Sequence, residues 1–225
     1  MPLTLTKNIA VIPARGGSKR LPNKNIISLG GKPLVAHSII YAKDNSNIID
    51  EVYVSTDDPE IKRVAIDYGA KVIDRPASLS SDHSSTASAL QHAVHNIEDK
   101  PENVFLLQPT NPLRPKDLLV QAYDKFINGD FDSLMTVTRI IEKFGKITKN
   151  RFEPFNYSFG QRSQDIEPLY SENGLLYITK AGLISKGIIL AENNFPFVVD
   201  SPYTKVDIDN EADLRYAEYL IETTS

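Results

Sequence analysis

The chain has 225 residues, 41% hydrophobic and 24% charged, with a formal charge of −4 and no cysteine. These values suit one ordinary globular unit, exclude disulfides, thiolate catalysis and Cys-ligated zinc, and offer no basic block for a nucleic-acid backbone. No apolar run approaches the ~20 residues that span a bilayer, and nothing at the N-terminus resembles a signal peptide. The expected location is the cytoplasm, so the sequon Asn156-Tyr157-Ser158 reads as chance.

Asn8-Ile9-Ala10-Val11-Ile12, stopped by Pro13, predicts a strand buried on both faces, with Met1 to Thr6 leading straight into it. After a polar loop, Gly31-Lys32-Pro33 opens a helix from Leu34 to about Lys43, with Pro33 in its first turn. Glu51 to Ser55 is a second strand. Asp58 as N-cap and Pro59 behind it start the next helix; Ile61, Val64, Ala65 and Tyr68 form its apolar stripe, and Gly69 ends it. Lys71 to Ile73 is a third strand. Ser85 or Thr86 caps a helix whose Leu90, Ala93, Val94 and Ile97 face the core. Asn103 to Leu107 is a fourth strand, Lys116 to Ile127 a further helix, and Ser133 to Thr138 a fifth strand. This alternation predicts right-handed crossovers and a largely parallel sheet covered on both faces. From Arg139 to Glu172 periodicity is lost, as in functional segments and interaction arms. Leu175 to Ile178 resumes as a strand, possessing a straightforward apolar run, and Asn210 starts a helix with Leu214, Ala217 and Ile221 on one side. The chain is expected to be one domain, 1–225, with an inserted arm at 140–172.

The strongest chemistry follows the first strand, in Ala14-Arg15-Gly16-Gly17-Ser18-Lys19-Arg20-Leu21-Pro22-Asn23-Lys24-Asn25, where four cations fall within ten residues beside two glycines. Ligands of open α/β sheets bind beyond the carboxyl ends of the strands, where this loop starts. Glycines let backbone N–H groups approach phosphate oxygens, and Lys and Arg neutralise the charge, so a triphosphate is the natural guest. The loop is neither a Walker sequence nor G-x-G-x-x-G. The competing reading is a solvated basic loop, which its position after a buried strand disfavours.

Ile9 to Lys19, followed by Leu21-Pro22-x-Lys24-Asn25, resembles the signature of the acylneuraminate (CMP-sialic acid) cytidylyltransferases. The resemblance continues through Val54-Ser55-Thr56-Asp57, Arg75-Pro76, Leu106 to Arg114, Asn173-Gly174 with Tyr177, and Asp207-Ile208-Asp209. It implies a Rossmann-like three-layer α/β fold of the nucleotide-sugar transferase type. It also implies that Arg15, Ser18, Lys19 and Lys24 cradle the phosphates of CTP, that Ala14 belongs to the same nucleotide site, that Asn25 lies near the ribose, and that Arg75 and Ser85 meet the cytosine. The alternative for the last two is that Arg75 pairs with Asp74 or Asp82 while Ser85 only caps a helix.

By the same resemblance Gln108, Lys146, Arg162, Asn173 and Tyr177 attend the sugar, and the arm forms a homodimer contact over the partner's site. Arg114 is read as structural as readily as functional. Asp207 and Asp209 lie two apart, so on a strand they share a face, with Ile208 directed inward. Paired carboxylates need a cation between them, and Mg²⁺ with phosphate oxygens meets that need; the alternative is a charged strand end. Ser171 stands where the family often has an arginine, which puts recognition of ordinary N-acetylneuraminate in question.

The sequence therefore implies transfer of CMP from CTP to an acidic nine-carbon sugar, with Arg15, Lys24, Asp207 and Asp209 carrying the chemistry. Legionaminate, pseudaminate and Kdo activation are the alternatives within this chemistry. A catalytically silent nucleotide-sugar binding protein is the alternative from another class.

Overall fold

The structure is a computed structural model and describes residues 7–224. The reading of Met1 to Thr6 as a lead-in falls outside them. In chain order the strands and α-helices are β1 (Asn8–Pro13), β2 (Ser28–Leu29), β3 (Lys32–Pro33), α1 (Leu34–Asp44), β4 (Glu51–Thr56), α2 (Pro59–Asp67) and β5 (Lys71–Asp74). There follow α3 (Thr86–His95), β6 (Asn103–Leu106), α4 (Leu118–Asn128), β7 (Ser133–Ile140), β8 (Gly145–Thr148), β9 (Arg151–Pro154), β10 (Leu169–Lys180), α5 (Ala181–Ile184), β11 (Asn194–Val198) and α6 (Glu211–Thr224).

Seven strands form one sheet in the order β11-β7-β10-β6-β1-β4-β5. β1 pairs in parallel with β4 and β6, β4 with β5, and β11 with β7, while β10 runs antiparallel to both its neighbours. The two-faced burial of the first strand is visible in its packing. Ala10 and Ile12 join α1, α2 and α4 through Val35, Ile39, Ile61, Ala65, Leu119 and Phe126. Ile9 and Val11 point the other way, toward Leu90, Ala93 and Val94 of α3 and Ile184 of α5. A third cluster seats α6, through Leu214, Ala217 and Leu220, against Leu21, Leu29 and Ile208.

The chain leaves β1 for β4 and β5 on one side, then returns to β6 on the other. A strand order that reverses in this way opens a crevice at the carboxyl ends of the strands beside the reversal. The first loop and the segment after β6 both emerge there.

Local signals behave as expected at α2, where Asp58 Oδ1 accepts from the N–H groups of Glu60 and Ile61 and Gly69 takes a φ of +78°. Ser85, not Thr86, caps α3. Pro33 sits at the N-cap of α1 and pairs with Ser28, so it precedes the first turn. Two expectations are corrected. Residues 206–209 are not a strand: Val206 and Ile208 are buried and Asp207 exposed, as in a strand, but the Ile208 N–H bonds only the Thr110 carbonyl (2.8 Å), with no ladder. The segment read as aperiodic contains the β8–β9 hairpin, turned by Lys149 and Asn150 at φ +49° and +61°. Its end belongs to β10, since Leu169 to Glu172 pair with Ile140 to Val137.

Candidate active site

The first loop is stitched to the end of β4. The Ala14 N–H bonds the Ser55 carbonyl (3.0 Å), and the Gly16 N–H donates to Asp57 Oδ1 (2.9 Å). A Cβ on Gly16 would lie 2.8 Å from Asp58 Oδ2 and 3.1 Å from Asp58 Cβ, so a larger residue there would displace the side chain that caps α2. Gly17 follows at φ +64°. Asn25 is buried and donates its amide to the Arg15 carbonyl (2.8 Å), which fixes the loop from beneath.

Each loop cation meets a carboxylate. Arg15 reaches Asp82 Oδ1 at 2.7 Å and Lys19 reaches Asp82 Oδ2 at 2.5 Å. Lys24 and Arg20 each lie 2.9 Å from Asp209, on opposite oxygens. Lys19 first, then Arg15, hold the Asp82 carboxyl at about 2. Burial raises the Asp209 carboxyl, but Lys24 and then Arg20 outweigh it and leave it below its ordinary value. Phosphate oxygens would compete with these two carboxylates for the same N–H donors. Asp57 and Asp82 hold the loop through Gly16, Arg15 and Lys19, contacts that sequence reasoning did not give them; Asp57 lay within the quoted motif, and Asp82 was considered only as a partner of Arg75.

Arg15, Lys24, Asn25, Arg75, Ser85 and Gln108 line one cleft of about 170 Å³. Lys24 is well enclosed, with 13% of its side chain exposed. Ser18 lines a small hollow on the adjoining side of the loop. Arg75 pairs with neither Asp74 nor Asp82: its Nε donates to Ser55 Oγ (3.1 Å) and Nη2 to the Ser55 carbonyl. Asp74 is taken by Lys62 (2.7 Å). Burial pulls the Arg75 guanidinium below its usual value, with Asp57 opposing and Arg15 adding to the effect. Ser85 Oγ accepts from the Ser88 N–H (3.1 Å), so capping and a place in the cleft coexist.

Behind the cleft, Arg114 is structural. It donates to the carbonyls of Leu175 (2.6 Å) and Gln108 (2.9 Å) and to Ser38 Oγ (3.1 Å), and lies over the Tyr41 ring. It thereby ties the loop that carries Gln108 to β10.

Asn173 lies within, and Tyr177 at the end of, an irregularity in β10 where the pairing with β7 shifts register. Gly174 has φ +73°, and a Cβ there would lie 2.6 Å from Asn111 Oδ1. The Asn173 amide is committed to Thr136 Oγ1 (2.6 Å), Thr138 Oγ1 (3.0 Å) and the Leu175 N–H (3.2 Å). Tyr177 donates to Glu172 (3.0 Å), and burial, then Glu172, then Asp207 push its hydroxyl upward. Lys146 lies on exposed β8, and Arg162, also in the arm, pairs with Asp165 (2.7 Å).

Among the described residues no group of three or more His, Cys, Asp or Glu could hold a metal by itself. Mg²⁺ commonly takes one or two carboxylates and fills its shell with water and phosphate oxygens. Exposed Asp207 and partly exposed Asp209, flanking buried Ile208, fit that modest requirement.

A family model described as cytidylyltransferase matches residues 9–223. A pseudaminic acid cytidylyltransferase of Campylobacter jejuni is 38% identical over 227 residues, covering 95% of this chain and 96% of that protein. A CMP-N,N'-diacetyllegionaminic acid synthase of Legionella pneumophila is 34% identical over 236 residues, with coverage of 95% and 96%. The solved structure of CMP:2-keto-3-deoxy-manno-octonic acid synthetase complexed with CTP shares the fold, with a TM-score of 0.73 at 20% identity over 97% of this chain and 100% of that one. With the loop and the cleft at the carboxyl ends of this sheet, the chain belongs to the cytidylyltransferase family of nucleotidyltransferases.

Proposed function

We propose that the protein transfers CMP from CTP to the anomeric hydroxyl of a nonulosonate, releasing pyrophosphate. The observation that carries this reading is the convergence of Arg15, Lys24, Arg75, Ser85 and Gln108 on one cleft at the sheet's reversal point. The anomeric oxygen attacks the α-phosphorus and the bond to the bridging oxygen breaks. The proton of the sugar hydroxyl passes to solvent. Negative charge grows on the departing pyrophosphate, and Arg15, Lys19 and Lys24 are positioned by the loop to receive it, exchanging their carboxylate partners for phosphate oxygens. Arg75 and Ser85 bound the cleft where the base is read. Asp207 and Asp209 would hold Mg²⁺, which when bound supplies charge neutralisation and polarises a phosphoryl oxygen.

Names of the similar proteins support a bacterial nonulosonate, with pseudaminate the first to test, because the pseudaminic acid enzyme is 38% identical against 34% for the legionaminic acid enzyme. Ser171 is consistent with a sugar other than N-acetylneuraminate. No helix among the described residues is long and apolar enough to cross a membrane, and the cytoplasm, where CTP is made, is the compartment this reading requires. The arm exposes Ile147, Phe155 and Phe159, each at least 67% accessible, and this supports a homodimer in which a second copy covers them.

The test is pyrophosphate release with CTP, Mg²⁺ and a panel of pseudaminate, legionaminate, N-acetylneuraminate and Kdo. Release with one nonulosonate, and none when ATP or UTP replaces CTP, supports the reading and names the acceptor. Silence with all of the sugars, while CTP still binds, would sink it.

A further inference from the structure

Of the four cations in the first loop, Arg20 is the one that the proposed reaction leaves without a task. Its Nη2 lies 2.9 Å from Asp209 Oδ2, while Lys24 Nζ lies 2.9 Å from Asp209 Oδ1. Arg20 is largely exposed and Lys24 enclosed, so the first is the pair that solvent and ligands reach.

Residues on both sides fix this pairing. Leu21, next to Arg20, and Ile208, next to Asp209, are buried in one apolar cluster with Leu29, Leu214, Ala217 and Leu220. The turn after Arg20 is closed by the Lys24 N–H on the Leu21 carbonyl (3.2 Å), with Asn23 at φ +54°. Across from it, Asp213 Oδ2 accepts from the N–H groups of Asp209 (2.8 Å) and Asn210 (2.9 Å), which holds that backbone ahead of α6. The apolar contact brings the loop and the 206–209 segment together, and the ion pairs close over it.

Both oxygens of Asp209 are therefore engaged by cations. Exposed Asp207 takes part in no ion pair among the described residues. Two positive charges face the single negative charge of Asp209, and together they oppose the approach of a divalent cation. Without nucleotide, such an ion meets one open carboxylate and no phosphate oxygens, which is a poor site for Mg²⁺. Phosphate oxygens offer Arg20 and Lys24 the alternative partner that would free Asp209.

We infer that Arg20 is a positioning residue that, with Lys24, latches Asp209 against free metal and so couples metal binding to the arrival of the CTP phosphates. The inference rests on the cytidylyltransferase reading above.

The test titrates Mn²⁺ alone into the full chain without nucleotide and reads the free ion by its EPR signal. Arg20→Ala is expected to tighten Mn²⁺ binding about threefold or more, the scale of one partly exposed ion pair. Arg20→Lys, which keeps the charge but not the fork, should fall between it and wild type. Lys19→Ala, a loop cation whose partner is Asp82, should stay within about twofold of wild type. The gain should vanish in the double variant Arg20→Ala/Asp209→Ala. Coupling is reciprocal, so the factor by which Mg²⁺ tightens CTP binding, measured by calorimetry with and without EDTA, should shrink in Arg20→Ala by a similar amount. Unchanged Mn²⁺ affinity in Arg20→Ala would overturn the inference. So would an equal gain in Lys19→Ala, which would mark a general charge effect, or a gain that survives the loss of Asp209. A silent sugar panel sinks the parent reading, whereas a flat Mn²⁺ response with an active panel sinks only the role of Arg20.

Discussion

Replacing Arg114 by Met tests whether the cleft is held from behind. The guanidinium makes three hydrogen bonds, of 2.6, 2.9 and 3.1 Å, and burial lowers its pKa to about 10, so it stays charged at neutral pH. Bonds from a charged donor contribute about 1.5–3 kcal/mol each. None of these partners is a carboxylate, so desolvation of the cation offsets much of that sum. Methionine fills a similar volume but removes the guanidinium's bonds to the Leu175 carbonyl and Ser38 Oγ and one of those to the Gln108 carbonyl, which keeps the Asn111 N–H (3.2 Å), and a net loss of about 3 kcal/mol follows. In a chain of this size each kcal/mol moves the melting temperature by roughly 2–4 °C, so a fall of about 6–12 °C is expected. Calorimetry reads the fall directly. Turnover assayed well below the melting point should drop less than about tenfold, because Arg114 holds the backbone of Gln108 and not the substrate. An unchanged melting temperature with collapsed turnover would refute this reasoning and make Arg114 a substrate contact.

Asp209→Ala should lower kcat by more than about 10³ through loss of the metal-binding carboxylate. Its melting temperature should fall modestly, since enclosed Lys24 loses its carboxylate partner while the backbone bond from Asp209 N–H to Asp213 (2.8 Å) survives; kcat within tenfold of wild type would refute the metal assignment. Asp82→Asn frees Arg15 and Lys19 from a competing carboxylate, so CTP should bind several-fold tighter at low salt by calorimetry; weaker binding would show that Asp82 orients the two cations instead. Glu51 is held at about 2, against an ordinary 4.5, first by Lys71 and then by the Tyr53 hydroxyl. A depressed carboxyl stabilises fully above its unfolded pKa and loses that contribution as pH falls through the folded one. The stability gap between wild type and Glu51→Gln, read from urea midpoints, should therefore be full at neutral pH and narrow from about pH 4.5 toward 2.

What the sequence made legible was local. Asp58-Pro59 and Gly69 bracket α2 because capping and left-handed termination depend on neighbouring residues only. Ile9 to Ile12 announced a central strand because both of its faces are buried. The β8–β9 hairpin was hidden for the opposite reason: nearly every residue in it is exposed, which leaves no alternation to read. β11 carries Pro196, which disfavours a strand reading, yet β11 is an edge strand, where proline is tolerated. That Asp207 and Asp209 flank an inward Ile208 was read from their spacing, whereas the absence of a partner strand depends on Thr110, distant in sequence, whose carbonyl takes the Ile208 N–H.

The candidate site divides in the same way. The first loop's composition and its place after β1 were legible as a cluster of cations beside glycines. That Arg75 would bond Ser55, and that Asp82 would face Arg15 and Lys19, follow from how β4, β5 and the 80–84 loop meet in space. The Asn173 amide also braces the irregularity in β10, a bond set that only the strand register reveals.

The most direct test of the central claim is ³¹P NMR of the protein incubated with CTP, Mg²⁺ and the nonulosonate selected by the panel. The account expects the three resonances of CTP to give way to one phosphodiester signal and one pyrophosphate signal in equal molar amounts. CDP with inorganic phosphate, or CMP with no phosphodiester, would place bond cleavage or acceptor elsewhere and contradict it.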